Sequence, residues 1–340
     1  MSMILPEGVT LLATVCNALP NAVPYALWLA RGEDQHFVDL SDVLGQAGDC
    51  GLTGLVCHGD RIYVAVQSTA ASRILILDYS FTPVGVISNS AFRDIHSIHA
   101  DGDSLVVCST GSRSVLRVSL ADHGVDWLCG FDSTVHLNSA CFHDDALLVC
   151  CHHLSKVRPD AIGGGVIAAD LTQVLIAGLG QPHSLIREAD GYLILDSDAQ
   201  RVLRFDRDGI RQQAVLSGFL RGAAAWNGSL FVARSVSRVI SRKFPVAKTE
   251  PGFCDLARER VGIYELDADS LTVMAEHFPT VAGFEIYDLL ALDGVRAVRP
   301  ASDRLVAPDI HAMARSYYEA AKSLHAEIDE RGRAELRVPA

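Results

Sequence analysis

One five-residue phrase recurs along this chain, and it limits the possible fold more than any other feature. It reads Gly51-Leu52-Thr53-Gly54-Leu55, Asp94-Ile95-His96-Ser97-Ile98, His136-Leu137-Asn138-Ser139-Ala140, Gln181-Pro182-His183-Ser184-Leu185, Phe219-Leu220-Arg221-Gly222-Ala223 and Glu285-Ile286-Tyr287-Asp288-Leu289. Each copy runs polar or bulky, apolar, polar, small, apolar. The first five copies lead into a tight turn such as Asp101-Gly102-Asp103 or Asn227-Gly228, then an apolar run such as Leu230-Phe231-Val232-Ala233. Asp-Gly and Asn-Gly between apolar runs are hairpin turns, because both central residues need positive φ. The copies start at residues 51, 94, 136, 181, 219 and 285, a spacing of roughly 40–45 residues that stretches only before the last. Strand-like runs fill each interval, and one four-stranded propeller blade has that length. The spacing therefore predicts an all-β fold, a six-bladed β-propeller. A β-sandwich has no reason to head every unit with the same phrase.

The ends of the chain fit the same ring. Val9–Val15, Tyr25–Leu29 and His36–Leu40 are strand-like but lack the phrase, while the last copy is followed by one short run, Val295–Val298. The N-terminal strands are therefore expected to complete the sixth blade and close the ring, since open sheet edges are a liability. The propeller is expected to span 1–307, with an insertion in blade five at about 237–260 that either lids one face or serves as a solvated connector. Apolar residues at Ile310, Met313, Ala314, Tyr317, Ala321, Leu324 and Ile328 form one stripe before Gly332. That predicts an amphipathic C-terminal helix over 308–332, packed on the rim or on another subunit of a homo-oligomer.

Composition excludes several classes of function. A net charge of −12 gives no basic face for nucleic acid. No apolar run reaches the ~18 residues of a membrane span, and the first eight residues lack the basic start of a signal peptide. The nine cysteines include no CxxC pair, and several lie within apolar runs. They read as buried free thiols of a cytoplasmic protein. Gly163-Gly164-Gly165 leads into a strand and has no P-loop lysine, so no nucleotide cofactor is indicated.

In a propeller the first strand of each blade lines the central channel, so the polar positions of the phrase converge on one mouth. The first positions supply Asp94, His136, Gln181 and Glu285, and the third supply His96, Asn138, His183, Arg221 and Tyr287. Second strands run back to the same mouth and end at His152, His153, Asp196, Asp198 and Arg234. A merely wet channel needs only small polar residues, whereas this set is rich in groups that titrate or bind anions. Convergent polar groups in a concavity make a ligand site. The expected ligand is a small polar, anionic metabolite. His183, His96, Glu285 and Tyr287 are the candidates for acid–base catalysis of a lyase, isomerase or hydrolase type. Arg221, Asn138, Gln181, Arg234 and His152 are the candidates for binding the substrate. His96, His136, His183 and Glu285 offer imidazole and carboxylate donors for a divalent zinc, iron or manganese. The alternative is a non-catalytic propeller that binds or scaffolds a partner. His58, His99 and His143 are placed at hairpin turns on the surface, and Ser97, Ser139 and Ser184 at packing seats of the inner ring.

The phrases His136-Leu137-Asn138-Ser139, Gly180-Gln181-Pro182-His183-Ser184, Gly218-Phe219-Leu220-Arg221-Gly222 and Glu285-Ile286-Tyr287-Asp288 resemble those of an uncharacterised bacterial propeller family, a domain of unknown function. The resemblance runs from blade one through blade six and implies the six-bladed fold and a polar channel. More distantly the layout resembles the gluconolactonase and strictosidine-synthase-like propellers, whose channel residues bind a divalent metal or catalyse condensation on small molecules. Their metal sites favour Glu, Asn and Asp, whereas this channel is rich in His.

Overall fold

The computed structural model describes residues 5–19, 22–131, 135–143, 146–236, 261–281, 283, 285–293, 304–307 and 309, with isolated positions beyond. Among the described residues the strands form six sheets, five of four strands consecutive in sequence and one of five strands drawn from both ends of the chain. The inner strands are Asp49–His58, Ile95–Asp101, Leu137–His143, Pro182–Glu188, Phe219–Trp226 and Ile286–Asp293, and each coincides with a copy of the phrase. Successive inner strands pack side by side, and Ile286–Asp293 packs on Asp49–His58, so the ring closes.

The sixth blade is shared between the chain ends as the sequence predicts. Ile286–Asp293 pairs with Val9–Val15, which pairs with Leu27–Arg31, then Asp34–Val38, and Leu305–Val306 adds a fifth strand outside. Val9–Val15 is buried throughout, as a strand flanked on both faces must be. The expected blade-five insertion (237–260) and nearly all of the expected helix (308–332) lie outside the described residues. No helix among the described residues is long and apolar enough to cross a membrane. The described cysteines are free thiols.

The phrase also sets how blades join. Each seam carries a hydrogen bond from a side chain of one blade to a carbonyl at the head of the next inner strand. Thr53 Oγ1 donates to the Ile95 carbonyl, Thr110 to Leu137, Asn138 Nδ2 to Pro182, Ser197 Oγ to Leu220, Ser235 Oγ to Ile286 and Thr14 Oγ1 to Thr53. The small fourth position is a point of close approach. A Cβ on Gly54 would meet Ile98 N at 2.6 Å, and one on Gly222 would meet Asp288 Cα at 2.6 Å. The fourth-position serines do more than fill space. Ser139 Oγ accepts from Leu185 N at 2.9 Å and Ser184 Oγ from Gly222 N at 3.1 Å. Asp288 serves the closing seam in the same way, accepting from Leu55 N at 2.9 Å.

Thr14 holds that closing seam from both sides, since its hydroxyl also accepts from Asp288 N at 3.0 Å. Thr14→Val keeps the shape but orphans a buried carbonyl and a buried amide. It is expected to cost about 2–4 kcal/mol, read as a lower urea midpoint at unchanged m-value. An unchanged midpoint would remove this seam from the account of ring stability.

Candidate active site at the channel mouth

The third position of the phrase reaches the channel through a break in strand register. Pairing of the inner strand with its neighbour shifts between Ile95 and Ser97, Leu137 and Ser139, His183 and Ile186, and Arg221 and Ala223. Opposite Tyr287 the register shifts between Thr14 and Val15. A bulge of this kind re-aims side chains, and here it lets consecutive residues line one cavity. Simple alternation, which would put the first and third positions on one side, does not describe these strands. Asp94, His136 and Gln181 take φ of 53°, 51° and 54°, left-handed values at which the strand has not yet begun.

Four histidines and a tyrosine nevertheless meet at this mouth. His136 and His152 stack with ring centroids 4.3 Å apart at the half-buried rim. His96 sets its edge against His136 at 5.0 Å and against Tyr287 at 5.6 Å. His183 packs edge-on to His152 at 5.3 Å, to Phe219 at 5.6 Å and to Tyr287 at 6.2 Å. Tyr287 thus sits between His96 and His183, and all three are buried.

Hydrogen bonds decide which ring nitrogens carry protons. Asn138 Nδ2 donates to the Pro182 carbonyl, so its Oδ1, 3.0 Å from His96 Nδ1, must accept a proton from that nitrogen. His183 Nδ1 lies 2.9 Å from the Gln181 carbonyl and 2.8 Å from Ser197 Oγ, whose own hydrogen goes to Leu220. A carbonyl only accepts, so His183 is the Nδ1–H tautomer and its Nε2 is a lone pair. Among the described residues that Nε2 is buried without a partner, as is the Tyr287 hydroxyl.

The charged groups are paired off to one side. Arg221 Nη1 binds Glu285 Oε2 at 2.9 Å, and its guanidinium lies 4.8 Å from the Tyr287 ring centroid and 4.9 Å from that of Phe219. The same carboxylate oxygen accepts from Cys16 Sγ at 3.1 Å and Asn17 Nδ2 at 3.4 Å. Burial then keeps His136, His152 and His183 neutral. Desolvation, with help from neighbouring His96, His153 and Arg221, lowers His136 to about 2. Desolvation likewise holds His152 and His183 well below the ordinary imidazole value, with neighbouring cationic groups adding to it. It pushes the Tyr287 phenol well above its ordinary value, against the pull of Arg221.

The same residues border a cavity of about 110 Å³. His96, His99, Asn138, His183, Tyr287 and Asp288 line it together with the apolar Leu55, Ile186, Ala223 and Leu289. His99 is not the surface turn residue expected from the sequence. It lies on the inner strand Ile95–Asp101, its Nε2 is buried without a partner among the described residues, and burial lowers it to about 4. Its place in the repeat, three residues after His96, is the signal that marks it as channel-facing.

No family model matches the chain, and no curated protein matches it. Solved structures do. A chain of a nidogen/laminin complex matches with a TM-score of 0.54 at 13% identity, over 84% of this chain and 98% of that one. A luciferin-regenerating enzyme matches with a TM-score of 0.48 at 13% identity, over 72% of this chain and 80% of that one. At such identity the likeness shows the fold alone. What stands of the sequence resemblance is the six-bladed propeller.

The remaining candidates fall in different places. His96, Asn138, His183, Arg221 and Tyr287 come together, with His136 and His152 at the rim. Gln181 contributes its carbonyl, which orients His183. Arg234 is turned away: it donates to Ser217 Oγ at 3.0 Å and Tyr264 OH at 2.5 Å and lies 3.4 Å from Glu276. It lies within the second strand, Ser229–Ser235, and ties the outer strands of blade five. The proposed metal set is not gathered, because Glu285 is committed to Arg221. Among the described residues no group of three or more His, Cys, Asp or Glu side chains is arranged to hold a metal ion. Ser197, Cys16 and Asn17 belong to the site and were not expected there. Ser197 is two residues beyond the apolar run of its strand, and Cys16 and Asn17 come from the N-terminal strand that lacks the phrase.

Proposed function

We propose that the channel mouth binds a small uncharged polar molecule and transfers protons to and from it, with His183 Nε2 as the accepting base and the Tyr287 hydroxyl as the donor. One observation carries this reading: His183 and Tyr287 line one cavity, and among the described residues the Nε2 lone pair of the first and the hydroxyl of the second are buried without a partner. Leaving such groups unpaired costs about 1–3 kcal/mol each, which a ligand that pairs with them recovers. An anionic ligand fits less well than the sequence implied, because Glu285 already neutralises Arg221 and His136, His152 and His183 carry no charge near neutral pH.

A second reading, binding without turnover, is favoured by the same neutrality. An imidazole held far below its ordinary value is a weak proton carrier, whereas acid–base catalysis works best near the working pH. The two readings separate in one experiment. A panel of small uncharged alcohols, amides and carbonyl compounds is screened by thermal shift, and any stabilising compound is then followed for conversion by NMR. Tyr287→Phe removes only the unpaired hydroxyl. It is expected to leave the unliganded melting temperature unchanged or slightly raised while reducing the ligand-induced shift. Conversion lost in His183→Ala supports catalysis, and binding without conversion supports the second reading. If no compound shifts the melting temperature of the wild type, or the shift survives both variants, the mouth is not the site.

A further inference from the structure

Asp288 is out of place among its equivalents. At the fourth position of the phrase the other blades carry Gly54, Ser97, Ser139, Ser184 and Gly222. A serine is enough for the latch to the next blade, as Ser139 and Ser184 show. The carboxyl adds a second oxygen, and the two oxygens are used evenly. Leu55 N donates to Oδ2 at 2.9 Å and Leu289 N to Oδ1 at 3.0 Å. The nearby cation, Arg221, is bound to Glu285. A carboxylate at this half-buried position gains two neutral amide bonds against the cost of leaving water. That cost raises Asp288 to about 7, so near neutral pH and below it the group is substantially a carboxylic acid. Each oxygen already accepts an amide hydrogen, so the acid hydrogen takes a remaining direction, and the side chain lines the cavity.

Tyr287 immediately precedes it. The bulge brings both side chains onto the same cavity, where the phenol has no partner and is held protonated. Two neighbouring oxygen acids, both kept neutral by burial, form a pair of hydrogen-bond donors suited to an oxygen that gains negative charge during a reaction. His183 lines the same cavity, and its Nε2 is without a partner among the described residues.

We propose that Tyr287 and Asp288 form a two-donor hole for a carbonyl oxygen, and that the substrate is a small uncharged carbonyl compound from which His183 removes a proton on the adjacent carbon. This rests on the reading of the mouth as a proton-transfer site and adds to it the substrate class and a third ligand-facing residue. The C–H bond breaks as Nε2 takes the proton, its electrons form a carbon–carbon double bond, and the carbonyl electrons move onto oxygen. The resulting enolate oxygen is held by the Tyr287 and Asp288 hydrogens. The imidazolium then returns its proton to the same or the neighbouring atom, so nothing is oxidised and no co-reactant is consumed.

The test is exchange of carbon-bound hydrogen in deuterium oxide, followed by NMR with acetone, hydroxyacetone and glycolaldehyde as probes. The wild type is expected to accelerate exchange at the carbon next to the carbonyl. His183→Ala should abolish the acceleration, and Tyr287→Phe and Asp288→Ser should each reduce it by about a hundredfold. Serine is the residue this ring position carries elsewhere, so Asp288→Ser should keep the seam, checked by its melting temperature at pH 6. If the wild type binds these probes by thermal shift without accelerating exchange, the carbonyl proposal falls and the binding site stands. If exchange is accelerated but insensitive to both donor variants, the two-donor hole falls. Absence of both binding and exchange overturns this inference together with the site reading beneath it.

Discussion

Between pH 6.5 and pH 5 the folded protein is expected to lose several kcal/mol of stability. Four imidazoles facing the channel, His99, His136, His152 and His183, are lowered by burial, two of them to about 4 and about 2. In the unfolded chain all four titrate near the ordinary value of about 6.5. Below that pH the unfolded state therefore binds more protons than the folded state, and stability falls as pH falls. Asp288 works in the opposite sense. Raised to about 7, it binds a proton in the folded state that the unfolded chain has released, so its contribution falls as pH rises from about 4 to 7. Four groups against one leave a net uptake of two to three protons on unfolding, after a discount for the half-buried rim pair. The slope is then on the order of 3 kcal/mol per pH unit. Urea melts at pH 7.5, 6.5, 5.5 and 5 measure it, and His183→Gln should reduce the slope by about one proton. Equal stability at pH 7.5 and 5 would mean that the ring does not keep its imidazoles neutral.

Arg221→Met is expected to destabilise the protein by about 3–5 kcal/mol, the usual cost of stranding one partner of a buried ion pair. Its side chain is 13% exposed and that of Glu285 7%. The stranded carboxylate would keep the Cys16 thiol and the Asn17 amide as neutral donors. Arg221 also covers the faces of Phe219 and Tyr287, a contact the methionine stem partly retains. The double variant Arg221→Met/Glu285→Leu removes both charges and should recover most of the loss. The cycle is read from urea midpoints. With Glu285→Leu alone completing the cycle, a double variant whose loss equals the sum of the two single losses would mean that the pair has no coupling and Arg221 acts through packing alone.

Much of the site was legible because the phrase is local. Its third position predicted that His96, Asn138, His183, Arg221 and Tyr287 would meet, and they do. Arg234 misled because its strand reads as apolar up to the residue before it. Nothing along the chain records that Tyr264 and Ser217 wait on the outer side. His99 was assigned to a turn because Asp101-Gly102 follows closely, yet the strand runs on to Asp101. Asp288 looked like one more polar residue in the last copy. Its meaning appears only once Leu55 N and Leu289 N are on its two oxygens and the cavity is in front of it.

By itself the sequence determined the ring: the number of blades, the strand that starts each one, the closure of the sixth blade by the N-terminus, and the residues sent toward the axis. Those follow from hydrophobic alternation and turn chemistry, which act over a few residues. Only the tertiary structure decided which nitrogen of His183 is free, that Glu285 is spent on Arg221, and that Tyr287 and Asp288 share one cavity. These depend on partners 14 to 269 residues apart along the chain and on the exclusion of water, and both exist only after the six blades have closed around their axis.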